Sequence, residues 1–323
     1  MGGVIEPGRS RRYRATVENR SIAGVVALLI ASLLWGTTGT SATFLPHDVS
    51  PLAIGASTMG IGGLLLFVTA PRLSVGVLRD PSALRWAALG ALGVFVYPLA
   101  FYSAMSLAGV AVGNVVALGS GPVFAALFEW VGERRPLSRR WTVSTILAVL
   151  GIAGLALGRH LGSGAVPSGT LAGVALGLLA GAAYASYTYA SSRAIQSGQP
   201  SRGVMGAMFG IGAVLLLPVL LVTGAPLLQS WSTVAIAGYL AIGPMFVAYL
   251  LFGVGLRTVR SSSATTITLL EPVVATLLAV VVVGERLETL GWIGLLLVFA
   301  GLAVLVTARH QPKSGDATLE SGT

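Results

Sequence analysis

Glu271 and Pro272 stand side by side near the middle of an apolar run, Ser261–Arg286. A carboxylate at the centre of a hydrophobic span costs roughly 2.5–3.5 kcal/mol even on the mildest insertion scale. Proline there removes one amide donor and frees the carbonyl four residues back, that of Thr268. Both features are tolerable where the helix faces other helices or a wet cavity. No Lys or Arg lies in the middle of any apolar stretch. The charge of Glu271 must therefore be removed by a proton or balanced by a substrate cation, hydroxyls or water. A group so placed can bind a proton and release it as its surroundings change. The plainer alternative is a protonated Glu bonded to neighbouring Thr hydroxyls or a carbonyl, which does no more than lock a kink.

A second set of residues offers a binding wall. Trp35, Tyr97, Phe101, Asn114, Tyr184, Tyr187 and Tyr249 fall inside apolar stretches. Tyr184 and Tyr187 share a helix face at i,i+3, and Tyr97 and Phe101 do so at i,i+4. Aromatic walls with a few polar groups suit an amphiphilic small molecule. Ordinary packing is the competing explanation for each ring taken alone. Pro122 and Pro272 are expected to kink their helices, with Pro98 and Pro244 in a similar role. Glu129, Glu133, Glu285 and Glu288 lie near span ends beside Arg residues and read as solvated interfacial charges.

Other chemistries find no support. With no cysteine and three scattered histidines, His47, His160 and His310, neither a disulfide nor a metal site is expected. The only lysine is Lys313, so no phosphate-binding Gly-x-x-x-x-Gly-Lys loop exists, and His-Glu-x-x-His and Gly-x-Ser-x-Gly are absent too. No cofactor and no enzyme activity are expected.

The elements that position these residues follow from composition. The 323-residue chain is 54% hydrophobic and only 10% charged, with a mean hydropathy of +0.85. Soluble proteins carry about 25% charged residues. By the criterion of roughly 20 apolar residues per span, about ten transmembrane helices are expected. They lie near 22–44, 51–70, 85–106, 109–130, 142–159, 169–192, 203–223, 231–256, 261–283 and 289–308. With the N-terminus in the cytoplasm, 18 of the 20 basic residues fall inside and only Arg159 and Arg286 outside. The positive-inside rule thus places both termini in the cytoplasm and the net charge of +9 at the membrane, with lipid rather than nucleic acid as its partner. The basic tail 1–20 and the tail 309–323 are expected to lack structure.

The spans repeat. Gly121-Pro122-Val123-Phe124-Ala125-Ala126-Leu127 matches Glu271-Pro272-Val273-Val274-Ala275-Thr276-Leu277 at an offset of 150. Gly132-Glu133-Arg134 follows one copy and Gly284-Glu285-Arg286 the other; Trp35 has a counterpart in Tyr184. Two halves of five spans each, 21–159 and 168–308, must insert oppositely because five is odd. Inverted repeats of this kind are the layout of secondary transporters, with a site near the midplane between the halves. The stripe Gly173-xxx-Gly177-xxx-Gly181 is expected to pack within the bundle.

The duplicated Pro…Gly-Glu-Arg pattern, the ten spans and Trp35-Gly36 resemble the drug/metabolite transporter superfamily, in its EamA-like branch. That resemblance implies a ten-helix carrier of the cell membrane, many such carriers exporting amino acids or other small metabolites. The expectation is an all-α membrane protein of two inverted five-helix repeats, a monomer or homodimer. It would export a small-molecule substrate, with the proton as candidate coupling ion and Glu271 as its carrier. A polytopic membrane enzyme or a signalling partner is the alternative.

Overall fold

In hydrocarbon a backbone amide has no water to bond, so a chain this apolar must satisfy its polar groups within helices. The computed structural model describes residues 7–46, 48–108, 110–134, 137–160, 169–283 and 289–306, and these contain helices and turns but no strand. The helices are α1 (Pro7–Ala42), α2 (Pro51–Val68), the short α3 (Pro71–Arg79), α4 (Pro81–Ala108), α5 (Val110–Glu133), α6 (Arg139–His160), α7 (Thr170–Gln196) and α8 (Ser201–Thr223). Next come α9 (Trp231–Leu240), α10 (Ala248–Gly255), α11 (Ser261–Ile267), α12 (Leu270–Leu278) and α13 (Thr289–Val306).

Seven helical stretches among the described residues are long and apolar enough to cross a membrane: Ile22–Ala42, Pro51–Val68, Pro81–Met105, Leu171–Gln196, Ser201–Thr223, Trp231–Gly255 and Ser261–Val282. Helices α5, α6 and α13 occupy the other three positions expected from the sequence. The N-terminal basic stretch departs from expectation. It is helical from Pro7 and runs unbroken into the first apolar span, instead of forming an unstructured tail. Residues 309–323 and Gly284-Glu285-Arg286, with Glu288, lie outside the described residues.

Turn chemistry sets several helix starts. Ser50 accepts from the Ala53 amide at 3.1 Å ahead of Pro51, and Ser230 accepts from Thr233 at 3.2 Å. Asp80 accepts from the Ser82 amide and hydroxyl at 2.8 and 2.7 Å and from Gln199 at 2.6 Å, tying the α3–α4 corner to the α7–α8 corner. The Ser82 bonds hold the Asp80 carboxyl below its ordinary value.

The packing has the pattern of a two-fold axis. The third expected span (α4) packs on the sixth (α7), and the eighth (α9–α10) on the first (α1). The fourth (α5) packs on α7, and the ninth (α11–α12) on α1. The remaining major pairs, α2 with α8 and α6 with α13, map onto themselves when the halves are exchanged. At the α6–α13 crossing the symmetry is visible residue by residue. A methyl group on Gly151 would meet the Gly294 carbonyl and the Val298 amide; one on Gly301 would meet the Ser144 carbonyl and the Ala148 amide. Each contact becomes the other at an offset of 150. The two helices run antiparallel, since residue 144 meets 301 while 151 meets 294. Ser144 adds a hydrogen bond to the Gly301 carbonyl at 2.6 Å.

This crossing leaves no room for a side chain. Gly151→Leu is expected to cost about 1–3 kcal/mol through overpacking, seen as a lower melting temperature and loss of a single chromatographic peak in detergent. Gly60→Ala, where a methyl group meets nothing within 4 Å, is the matched control and is expected to be neutral or stabilising.

Candidate functional site

The break in the ninth expected span falls where proline chemistry puts it. Helix α11 ends at Ile267 and α12 begins at Leu270. Pro272 cannot bond the Thr268 carbonyl, and the Glu271 amide does so instead at 2.9 Å. The Leu269 amide reaches Thr266 at 3.2 Å, so the interruption keeps its amides bonded by tightening to i,i+3. Pro122 behaves differently: it lies inside α5, which remains continuous. Pro98 lies inside α4. Pro244 sits in a widened turn, Ala241–Val247, between α9 and α10.

At the break the helices enclose a cavity with about 600 Å³ of empty space, solvent at its mouth included. Its wall contains Glu271, Trp35, Tyr97, Phe101, Tyr184, Tyr187 and Tyr249. The side chain of Asn114 lies outside those described. The rings form one connected set. Trp35 and Tyr249 are 5.0 Å apart, Tyr97 and Phe101 stack at 5.3 Å, and Tyr184 and Tyr187 meet at 5.4 Å. Tyr187 and Tyr249 hydroxyls bond at 2.7 Å, and Tyr184 bonds Thr268 at 2.6 Å, directly across the helix break. The Thr268 hydroxyl donates to the Thr265 carbonyl of its own turn at 3.0 Å and so accepts from Tyr184.

The Glu271 side chain makes no hydrogen bond or ion pair with another described residue, and the threonine beside it is held by Tyr184. The carboxylate therefore does not lock the kink; Tyr184 and the backbone hold it. Gly36 explains the approach of α1: a methyl group there would lie 3.1 Å from the Glu271 carbonyl and against Val274. That contact sets Trp35 beside the break. In the first half, Gly121 occupies the place of Glu271, and a methyl group on it would lie 2.9 Å from the Tyr184 ring. The site is thus one-sided: Tyr184, the counterpart of Trp35, fills the space a second carboxylate would need.

Sequence reasoning missed Thr38, Thr58, Met59, Tyr102 and Met245, which also line the cavity. Tyr102 lies four residues after Pro98, which also lines the cavity, and Met245 lies four before Tyr249, so helical spacing carried a signal for both.

The cavity draws its wall from both sequence halves, with residues of α1, α2, α4 and α5 on one side and of α7, α10 and α12 on the other. Toward the end where most Arg residues lie, the bundle is filled by a core that includes Leu28, Met205, Met208 and Phe252 and is continuous with the cavity wall. Two acidic residues there overturn the expectation of solvated interfacial charge. Glu129 is only 5% exposed. It accepts from the Ser261 hydroxyl at 2.6 Å, the Ser262 hydroxyl at 2.8 Å and the Ser262 amide at 3.0 Å. It thereby caps α11, whose own cap residue Arg260 makes no such bond. Glu133 pairs with Arg193 at 3.3 Å, and Arg193 lies over the Trp86 ring at 5.6 Å. Serines at the start of one span and an acid at the end of another carry no mark of their pairing in the sequence. The glycine stripe of α7 faces Ala108, Val116 and Ser120, so it packs within the chain.

With this geometry in view, comparison with known proteins places the chain. The EamA-like transporter family model matches twice, at residues 22–157 and 171–307. The chain is 34% identical over 294 residues to "Uncharacterized transporter YwfM" of Bacillus subtilis, covering 90% of this chain and 96% of that protein. It is 30% identical over 261 residues to "Threonine/homoserine exporter RhtA" of Escherichia coli K12, covering 76% and 83%. A crystal structure with 23% identity superposes with a TM-score of 0.72 over 87% of this chain and 95% of the other, a likeness of fold. The chain belongs to the EamA-like transporter family and is a multi-pass membrane protein.

Removing the Glu129 carboxylate would strand three buried donors. Glu129→Ala is expected to lose about 1.5–3 kcal/mol or more, measured by thermal unfolding in detergent. Glu129→Gln, which keeps an acceptor for Ser261 and the Ser262 amide, should retain most of the stability.

Proposed function

We propose that this member of the EamA-like transporter family is a secondary exporter of small metabolites that exchanges substrate for protons by alternating access. The reading takes ten spans in two inverted halves, with both termini in the cytoplasm. The observation that carries it is Glu271, a carboxylate in the wall of an aromatic cavity, at a helix break, with no cationic residue among the described lining. A discontinuous helix beside a midplane site is the usual architecture of such carriers. The other titratable groups of the cavity, Tyr97, Tyr102, Tyr184, Tyr187 and Tyr249, are phenols and uncharged at neutral pH. That leaves Glu271 to exchange a proton for substrate.

The basic end is assigned to the cytoplasm by its arginines. On that assignment the Glu129–Ser261/Ser262 and Glu133–Arg193 contacts lie at the cytoplasmic end and close it. Export requires these contacts to part. Amino acids, the class named for the Escherichia coli relative, and drug-like amphiphiles are the candidate substrates. A role as a carrier is favoured over a membrane enzyme or a signalling partner by the family and by the internal symmetry.

Glu271→Gln is isosteric but cannot release a proton. In proteoliposomes the wild type should exchange labelled amino acids or amines faster under a pH gradient. Glu271→Gln should insert and run as a single species yet show no response to that gradient. A gradient response equal to wild type in this variant would remove Glu271 from the coupling mechanism.

A further inference from the structure

The cavity is electrostatically lopsided. Its described lining holds one group able to carry charge at neutral pH, Glu271, and no Lys, Arg or His. The guanidinium groups of Arg85 and Arg193 sit at the basic end, over Trp86, and Arg193 is paired with Glu133. The hydroxyls that could donate to an anion are partly committed elsewhere: Tyr187 and Tyr249 bond one another, and Tyr184 bonds Thr268. An anion entering this space would meet a carboxylate and the negative faces of aromatic rings.

A cation meets the reverse. Trp35 and Tyr249 lie 5.0 Å apart with planes tilted by 58°, and Tyr97 lies 5.9 Å from Tyr184 with planes tilted by 43°. Rings set at such angles present faces in several directions around one small volume. Aromatic faces attract ammonium groups within roughly 6 Å of the ring centroid, more strongly when water is excluded. A carboxylate without a hydrogen-bond partner among the described residues completes the complement. We infer that the cavity selects organic ammonium ions, with the charged nitrogen at Glu271 and the apolar body against Trp35, Tyr97 and Tyr249. As the substrate class of the carrier proposed above, this assignment rests on that reading. A zwitterion satisfies only half of the site, because its carboxylate finds no cation there. Amines and amino-acid esters should therefore bind better than the parent amino acids.

One skeleton with different charges tests the assignment. Phenethylammonium, 2-phenylethanol and phenylacetate are titrated calorimetrically into the full-length protein in detergent at pH 7.5. Phenethylammonium should bind tighter than the alcohol or the acetate by roughly tenfold or more. In Glu271→Gln its affinity should fall to that of the alcohol. Equal binding of the three compounds by the wild type overturns the assignment without any variant, as does an unchanged phenethylammonium affinity in Glu271→Gln. Counterflow in proteoliposomes separates this claim from the transport reading, using L-threonine and the permanently charged phenyltrimethylammonium. Threonine exchange without ammonium selectivity sinks the ammonium assignment and leaves an exporter. Selective ammonium binding with no exchange of either solute upholds the ammonium site and sinks the exporter.

Discussion

A helix can be interrupted inside a membrane only if the polar groups it releases find new partners. The interruption between α11 and α12 meets that condition locally. The Thr268 carbonyl, which Pro272 cannot bond, takes the Glu271 amide, and the Thr268 hydroxyl meets Tyr184 from the opposite half of the molecule. The rest of the site follows from this repair. Since threonine and tyrosine stabilise the break, the carboxylate is not needed to do so. Since α12 starts afresh, Glu271 lies in its first turn, where negative charge is favoured by the helix dipole. Gly36 then brings α1 against the same turn. A proline, a threonine and a glycine thus position a carboxylate none of them touches through a side-chain bond.

The two-fold pattern is closest where the helices only pack and weakest where they line the cavity. At the α6–α13 crossing, residues 144, 148 and 151 make the same close backbone contacts as 294, 298 and 301. At the cavity the pairs diverge: Gly121 against Glu271, Tyr184 against Trp35, a continuous α5 against the broken α11–α12. The divergence has a steric cause. Tyr184 lies against Gly121, so any side chain there would displace the ring that holds Thr268. One half supplies the brace and the other supplies the charge. Two carboxylates facing each other across such a cavity would repel, and the chain avoids that arrangement.

Much of this was legible in the sequence, because hydrophobic length, proline position and the offset of 150 are one-dimensional signals. The helical positions, the break near Pro272, and the gathering of Trp35, Tyr97, Phe101, Tyr184, Tyr187 and Tyr249 all came from such signals. Glu129 did not. Its sequence neighbours are apolar residues and arginines at a span end, which is what a solvated interfacial acid looks like. Its partners, Ser261 and Ser262, are more than 130 positions away and are chosen by the packing of α5 on α11. The same limit applied to Glu133, which meets Arg193 across helices. Side chains at span ends are read poorly because either water or another helix can satisfy them, and only tertiary packing decides between the two.

On the proposed carrier cycle, the unequal packing of equivalent helix pairs becomes the source of motion. Among the described residues the α4–α7 contact is the most extensive, while its symmetry counterpart, α1 against α9–α10, is smaller. The former includes the basic end, where Trp86 of α4 stands against Tyr189 and Arg193 of α7. The latter borders the open cavity, where Trp35 meets Tyr249. Exchanging the roles of the two halves would loosen the first contact and extend the second, closing the cavity from one side as it opens on the other. Among the described residues the contacts that would part include the capped start of α11, the Glu133–Arg193 ion pair and Arg193 over the Trp86 ring. The contacts that would persist are the close glycine crossings of α6 with α13. A bundle held at a symmetric apolar crossing can change access at its ends without exposing its backbone to lipid.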